Sequence, residues 1–159
     1  MACLKRAGFC EVRNLNDVRL NNVFADLQAT RSGTSYIISV KARNRLRDDG
    51  RLNESYNLIK IHPAKDRLLK SAGISVHEIT SKLHEEVGAI SRGYDAVPAW
   101  VTVPIDAEVS TYSCYFGIVA DLGLRRSIPM KPVHCLRYEV LAEREFDARI
   151  TGDLSNSLR

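Results

Sequence analysis

Residues 21–47, NNVFADLQATRSGTSYIISVKARNRLR, constrain this chain more than any other stretch. Residues 23–30 are mostly apolar with a single carboxylate, Asp26. Residues 36–41, YIISVK, are β-branched and aromatic, the composition of a strand. Arg31-Ser32-Gly33-Thr34 between them carries the glycine that a tight hairpin turn requires. The pattern predicts two antiparallel strands joined by a short loop.

A two-residue Ser32-Gly33 loop sets the register. Arg31 then faces Thr34, and Asp26 faces Ser39. Side chains alternate along a strand, so Ser39, Lys41 and Arg43 share one face with Asp26, while Tyr36, Ile38 and Val40 take the other. Opposed side chains lie about 5 Å apart and diagonal ones about 7–8 Å, which puts Lys41 within reach of whatever Asp26 holds. A carboxylate, a hydroxyl and an ammonium on one face of an apolar hairpin are costly to bury unless paired or bound to an ion.

Ala25-Asp26 on one strand, a short hairpin, and Ser39-Val40-Lys41 on the next resemble the PD-(D/E)XK nuclease superfamily of restriction endonucleases, Holliday-junction resolvases and repair nucleases. The resemblance covers residues 1–105. Ser39 stands where that superfamily usually has Glu or Asp, and Ala25 where it often has Pro. The implied fold is α/β, a restriction-endonuclease-like mixed β-sheet flanked by helices. We expect one domain over residues 1–150 and a flexible tail over 151–159.

The resemblance also implies a site. Asp26, Ser39 and Lys41 are its expected catalytic residues, with Mg²⁺ or Mn²⁺ as cofactor. Asp26 and the Val40 carbonyl are the expected metal ligands. The ion would generate hydroxide and relieve charge on the scissile phosphate. Lys41 would orient the attacking water or stabilise developing negative charge. With Ser39 the site carries one formal charge fewer than the superfamily pattern. Gln28, two residues beyond Asp26 on its face, offers an amide oxygen.

Charge supports a polyanionic partner. Between residues 41 and 70 there are nine Lys/Arg against four Asp/Glu, whereas the whole chain has a net charge of +4. Arg43, Arg45, Arg47 and Lys60 are the expected nucleic-acid contacts, with DNA favoured over RNA. A homodimer is compatible with this reading. The bland alternative is a solvated basic loop.

A length of 159 residues allows one substantial core. No apolar run is long enough to span a bilayer and no signal-peptide h-region is present, so a cytoplasmic protein without membrane contact is expected. Cys3, Cys10, Cys114 and Cys135 form no C-x-x-C pair and lack zinc-ligand spacing with His62, His77, His84 or His134. They read as reduced, partly buried thiols.

Elsewhere the pattern is coarser. Residues 1–8 predict a short helix closed by Gly8, and residues 9–13 a first strand. Residues 52–60 read as a short strand or irregular segment, and residues 65–70 as one or two helical turns. Ser75 and Glu78 have capping-box spacing ahead of Val76, Ile79, Leu83, Val87 and Ile90, which predicts a helix over 76–92. Residues 97–103 and 111–119 predict two further strands, residues 122–132 a loop, and residues 138–146 a last helix or strand. Trp100, Tyr112, Tyr115 and Phe116 suit core packing better than base stacking. Three functions remain: a metal-dependent nuclease, a non-cutting nuclease-fold module that binds nucleic acid or protein, and an unrelated α/β protein whose Asp26 and Lys41 form a structural ion pair.

Overall fold

The structure, a computed structural model, describes residues 1–17, 24–59, 63–106, 111–133 and 135–142. The expected contact Lys60 and the expected tail over 151–159 lie outside these residues. The hairpin organises the rest. Strand β2 (Leu27–Arg31) pairs antiparallel with β3 (Thr34–Asn44) in the expected register, from Arg31 opposite Thr34 to Leu27 opposite Ile38. Ser32 and Gly33 both adopt positive φ, 50° and 77°. Two such residues make the turn whose twist suits a two-residue hairpin.

Around this hairpin lie α1 (Ala2–Arg6), β1 (Cys10–Asn14), β4 (Ser55–Asn57), α2 (Pro63–Ser71), α3 (Val76–Gly93), β5 (Val97–Asp106), β6 (Thr111–Tyr112), β7 (Cys114–Ile118), β8 (Ser127–Pro129) and β9 (Glu139–Ala142). The main sheet runs β1-β2-β3-β5-β7-β9, with β6 paired to the end of β5. Strands β4 and β8 form a separate two-stranded ladder. Strand β5 lies parallel to β3, from Tyr36 beside Val97 to Asn44 beside Ile105; the other ladders are antiparallel. A parallel neighbour requires a long crossover, and α2 and α3 lie within it. The chain is therefore α/β with a mixed sheet.

Each face of the sheet has its own core. One carries Ile37, Trp100 and Tyr115, packed against Ile79, Leu83 and Val87 of α3. These α3 residues recur at helical spacing, and Ser75 and Glu78 close the expected capping box. The other face carries Leu27, Ala29, Ile38, Ala99, Val101 and Phe116 beneath α1 and Phe9. Phe9, Tyr36 and Phe116 meet edge to face, and the Arg31 guanidinium lies 4.2 Å from the Phe9 ring centre while pairing with Glu139 at 2.6 Å. Trp100 and Tyr115 are fully buried and Phe116 nearly so, in line with the core reading, whereas Tyr112 is half exposed.

Several boundaries differ from the sequence reading. Helix α1 stops at Arg6 and Gly8 follows with φ of 81°, as a closing glycine should. Residues 24–26 do not continue β2, although their composition suits a strand. The expected strand over 111–119 is divided: Ser113 separates β6 from β7, and Val119 opens a 3₁₀ turn. The expected loop over 122–132 contains β8, and of the two forms expected over 138–146, helix or strand, residues 139–142 take the strand.

Candidate functional site

The site sits where the chain leaves β2 and β3 runs on without it. The Asp26 N–H donates to the Ile38 carbonyl at 2.9 Å, and the Leu15 N–H donates to the Asp26 carbonyl at 2.9 Å. The Asp26 carboxylate accepts the Val40 N–H at 2.6 Å through Oδ2. It supplies to β3 the acceptor that a continued β2 would have offered, which explains why residues 24–26 can turn away without orphaning that N–H. A strand residue directs its N–H and C=O toward the same neighbour. The Val40 carbonyl therefore faces the notch that holds Asp26.

Alternation places Ser39 and Lys41 on the α3 side of the sheet, the side of Ile37. Ser39 is beside Trp100 and Lys41 beside Thr102 in the parallel ladder. Ser39 is 0% exposed, and among the described residues its hydroxyl has no hydrogen-bond partner; the Thr102 hydroxyl is buried and likewise unpartnered among them. Solvent therefore does not reach the Ser39 side chain directly. Lys41 is half-buried. Among the described residues it forms no ion pair with Asp26 or any other carboxylate.

Beyond Lys41 the strand runs into a basic arm. The Arg45 N–H donates to the Ile105 carbonyl at 2.7 Å, Leu46 bridges to Leu52, and the Arg47 N–H donates to the Arg51 carbonyl at 2.8 Å. Arg43 is exposed, 6.0 Å from the Tyr56 ring centre, with a long 3.4 Å contact to Asn53. Arg47 is exposed as well. Arg45 is half-buried; burial lowers the pKa of its guanidinium, and the nearby Asp106 carboxylate partly opposes that. Arg51 is already bound to Asp49 at 2.6 Å. The expected contacts thus separate: Arg43 and Arg47 are presented to solvent, while Arg45 is partly committed to the fold.

Two features escape sequence reasoning. Thr102 lies beside Lys41 through a parallel pairing that leaves no local mark. Tyr56 comes over the same strand end from β4, its hydroxyl buried without a partner among the described residues and its pKa raised by that burial.

The donors for a divalent ion at the notch are one carboxylate, with an oxygen already engaged by Val40, and one main-chain carbonyl. Among the described residues no three His, Cys, Asp or Glu gather around a common point. That set fits an ion bound through a single carboxylate and otherwise through water and substrate phosphate, the lean manner in which Mg²⁺ is often held. It does not make a closed cage.

No protein-family model, curated protein or solved structure matches this chain. Among the described residues no helix is long and apolar enough to cross a membrane.

Proposed function

We propose that this protein binds the phosphodiester backbone of nucleic acid, DNA before RNA, on a restriction-endonuclease-like fold. The binding surface runs along the end of β3 from Lys41 through Arg43 to Arg47. The observation that carries this reading is the state of Lys41. The reading as an unrelated α/β protein expects a structural Asp26–Lys41 ion pair, and no such pair forms; Asp26 spends its carboxylate on the Val40 N–H instead. Lys41 remains a cation without an anionic partner among the described residues, continuous with two exposed arginines. Ammonium and guanidinium groups in such a row neutralise successive phosphates and release counterions.

The test is binding of fluorescently labelled single- and double-stranded DNA and RNA across a salt series. Log affinity should fall linearly with log salt. Arg43→Gln and Arg47→Gln should each reduce that slope by about one. Absence of binding at about 50 mM salt, or a slope unchanged in both variants, overturns the reading.

The notch favours a second reading, metal-assisted cleavage, because the Asp26 carboxylate and the Val40 carbonyl open on the same gap. Those two groups would hold the ion, which when bound supplies an activated water and charge relief at the phosphate. Lys41, on the adjoining strand position, would lend positive charge to the phosphate as it becomes more negative. Ser39 has no direct part, since its side chain is sealed beneath the α3-side core. Cleavage of labelled substrates with Mg²⁺ or Mn²⁺, lost in Lys41→Ala with folding intact, supports this reading. Equal activity in the variant removes it.

A further inference from the structure

The sheet face opposite Lys41 holds a cavity of about 460 Å³ whose wall includes Leu4, Val40, Val101 and Val103 together with Cys3 and Cys114. The two thiols, Cys3 on α1 and Cys114 on β7, line this cavity together and belong to one buried cluster on this face of the sheet. Arg6 donates to Cys3 Sγ at 3.4 Å, and the Tyr112 hydroxyl lies 3.6 Å from the same sulfur. All four cysteines are unpaired, with Cys3 and Cys114 buried and Cys10 and Cys135 exposed. Neither the polyanion surface nor the Asp26 notch uses this pair.

We propose that Cys3 and Cys114 form a reactive dithiol that reduces organic hydroperoxides admitted through the apolar cavity, closing a disulfide between α1 and β7. The two thiols have different roles. Burial pushes the Cys3 thiol upward, but hydrogen bonds from Tyr112 and Arg6 and the Arg6 charge outweigh it, so Cys3 ionises more readily than an ordinary cysteine. Burial, with Cys3 beside it, pushes the Cys114 thiol up to about 12 and keeps it protonated. Cys3 is therefore the attacking sulfur and Cys114 the resolving one.

In the first step the Cys3 thiolate bonds to the distal peroxide oxygen, the O–O bond breaks, and the alkoxide takes a proton to leave as an alcohol. Cys3 becomes a sulfenic acid. In the second the Cys114 sulfur bonds to Cys3, the S–O bond breaks, and hydroxide leaves with the Cys114 proton as water. Two electrons pass from the thiol pair to the peroxide. The cavity selects the substrate class: its aliphatic wall suits a hydrocarbon group, while the cationic Arg6 at the sulfur favours the developing negative charge.

The test uses the full chain with Cys10→Ser and Cys135→Ser, treated with cumene hydroperoxide or hydrogen peroxide and followed by intact mass and peptide mapping. The expected product has lost two hydrogens and carries a Cys3–Cys114 linkage. Cumene hydroperoxide should react several-fold faster than hydrogen peroxide once each rate is divided by its rate with free cysteine. Arg6→Gln should slow the reaction several-fold. In Cys114→Ala, dimedone should capture the Cys3 sulfenic acid, with far-UV circular dichroism showing that the variant is folded. Failure to form the linkage, a normalised preference for hydrogen peroxide, or dimedone capture of Cys114 in Cys3→Ala as fast as of Cys3 in Cys114→Ala each overturns the proposal.

Discussion

Gly117 offers the sharpest test of how the sheet centre is packed. It lies opposite Trp100 across the β5–β7 ladder, and a Cβ at this position would stand 2.3 Å from Trp100 Cζ2 and 2.6 Å from Cε2. Those are ring atoms of a fully buried side chain, not the end of a flexible one. Gly117→Ala must therefore displace the indole. Overpacking a filled core costs about 1–3 kcal/mol. Moving the ring also strains the hydrogen bond that Trp100 Nε1–H donates to the Ile118 carbonyl at 3.3 Å, adding about 1 kcal/mol. The sum, about 2–4 kcal/mol, is a large share of the roughly 5–15 kcal/mol that holds a domain together. For a chain of this length it lowers Tm by about 4–16 °C. Trp100 is the sole tryptophan, so its fluorescence reports the same event. Trp100→Phe in the Gly117→Ala background should recover part of the loss, because the smaller ring vacates the contested space. A Tm within a degree of wild type, with unchanged tryptophan emission, would show that the close approach of ring and backbone is not real.

Other changes probe the notch and the helix cap. Asp26→Ala should destabilise by about 1.5–3 kcal/mol, the usual worth of a charge-assisted bond, and Asp26→Asn, which keeps an acceptor for the Val40 N–H, should restore much of it in urea unfolding. Ser39→Glu places a carboxylate in a sealed position beside Trp100 and should lower Tm by several degrees in thermal unfolding, with or without Mg²⁺. Ser75→Ala should cost about 1 kcal/mol. The hydrogen bonds from the Ser75 N–H and hydroxyl hold the Glu78 carboxyl below its ordinary value, so its contribution is complete above the unfolded carboxylate pKa and disappears as pH falls through the lower, folded value. Acid titration of stability should therefore be shallower in Glu78→Gln than in wild type.

The hairpin was legible because its information is local. A two-residue turn with glycine fixes the register, and the register fixes which side chains share a face. The same was true of α3, where a cap and an apolar stripe mark one helix. What could not be read was everything that depends on distant strands. Nothing in residues 36–44 says that residues 97–105 will lie parallel beside them, so the burial of Ser39 against Trp100 and the company of Thr102 beside Lys41 were invisible. Asp26 was recognised as exceptional for a charge, but its bond to the Val40 N–H is a backbone role that composition does not announce. Cys3 and Cys114, far apart in sequence, meet only because α1 packs beneath β7.

The order in which the sheet is assembled has its own consequence for the chain during folding. The β2–β3 hairpin closes over two residues, an event of microseconds. Its partner on the other side, β5, arrives only after the α2–α3 crossover has been brought around, at a greater loop-closure cost. Until then one edge of β3, the longest strand among the described residues, presents unpaired N–H and C=O groups along a run of isoleucine and valine. Such an edge is a template for a second molecule. Refolding yield should accordingly fall with protein concentration, and pulse-labelled hydrogen exchange should find the amides shared by β2 and β3 protected before those that β3 shares with β5.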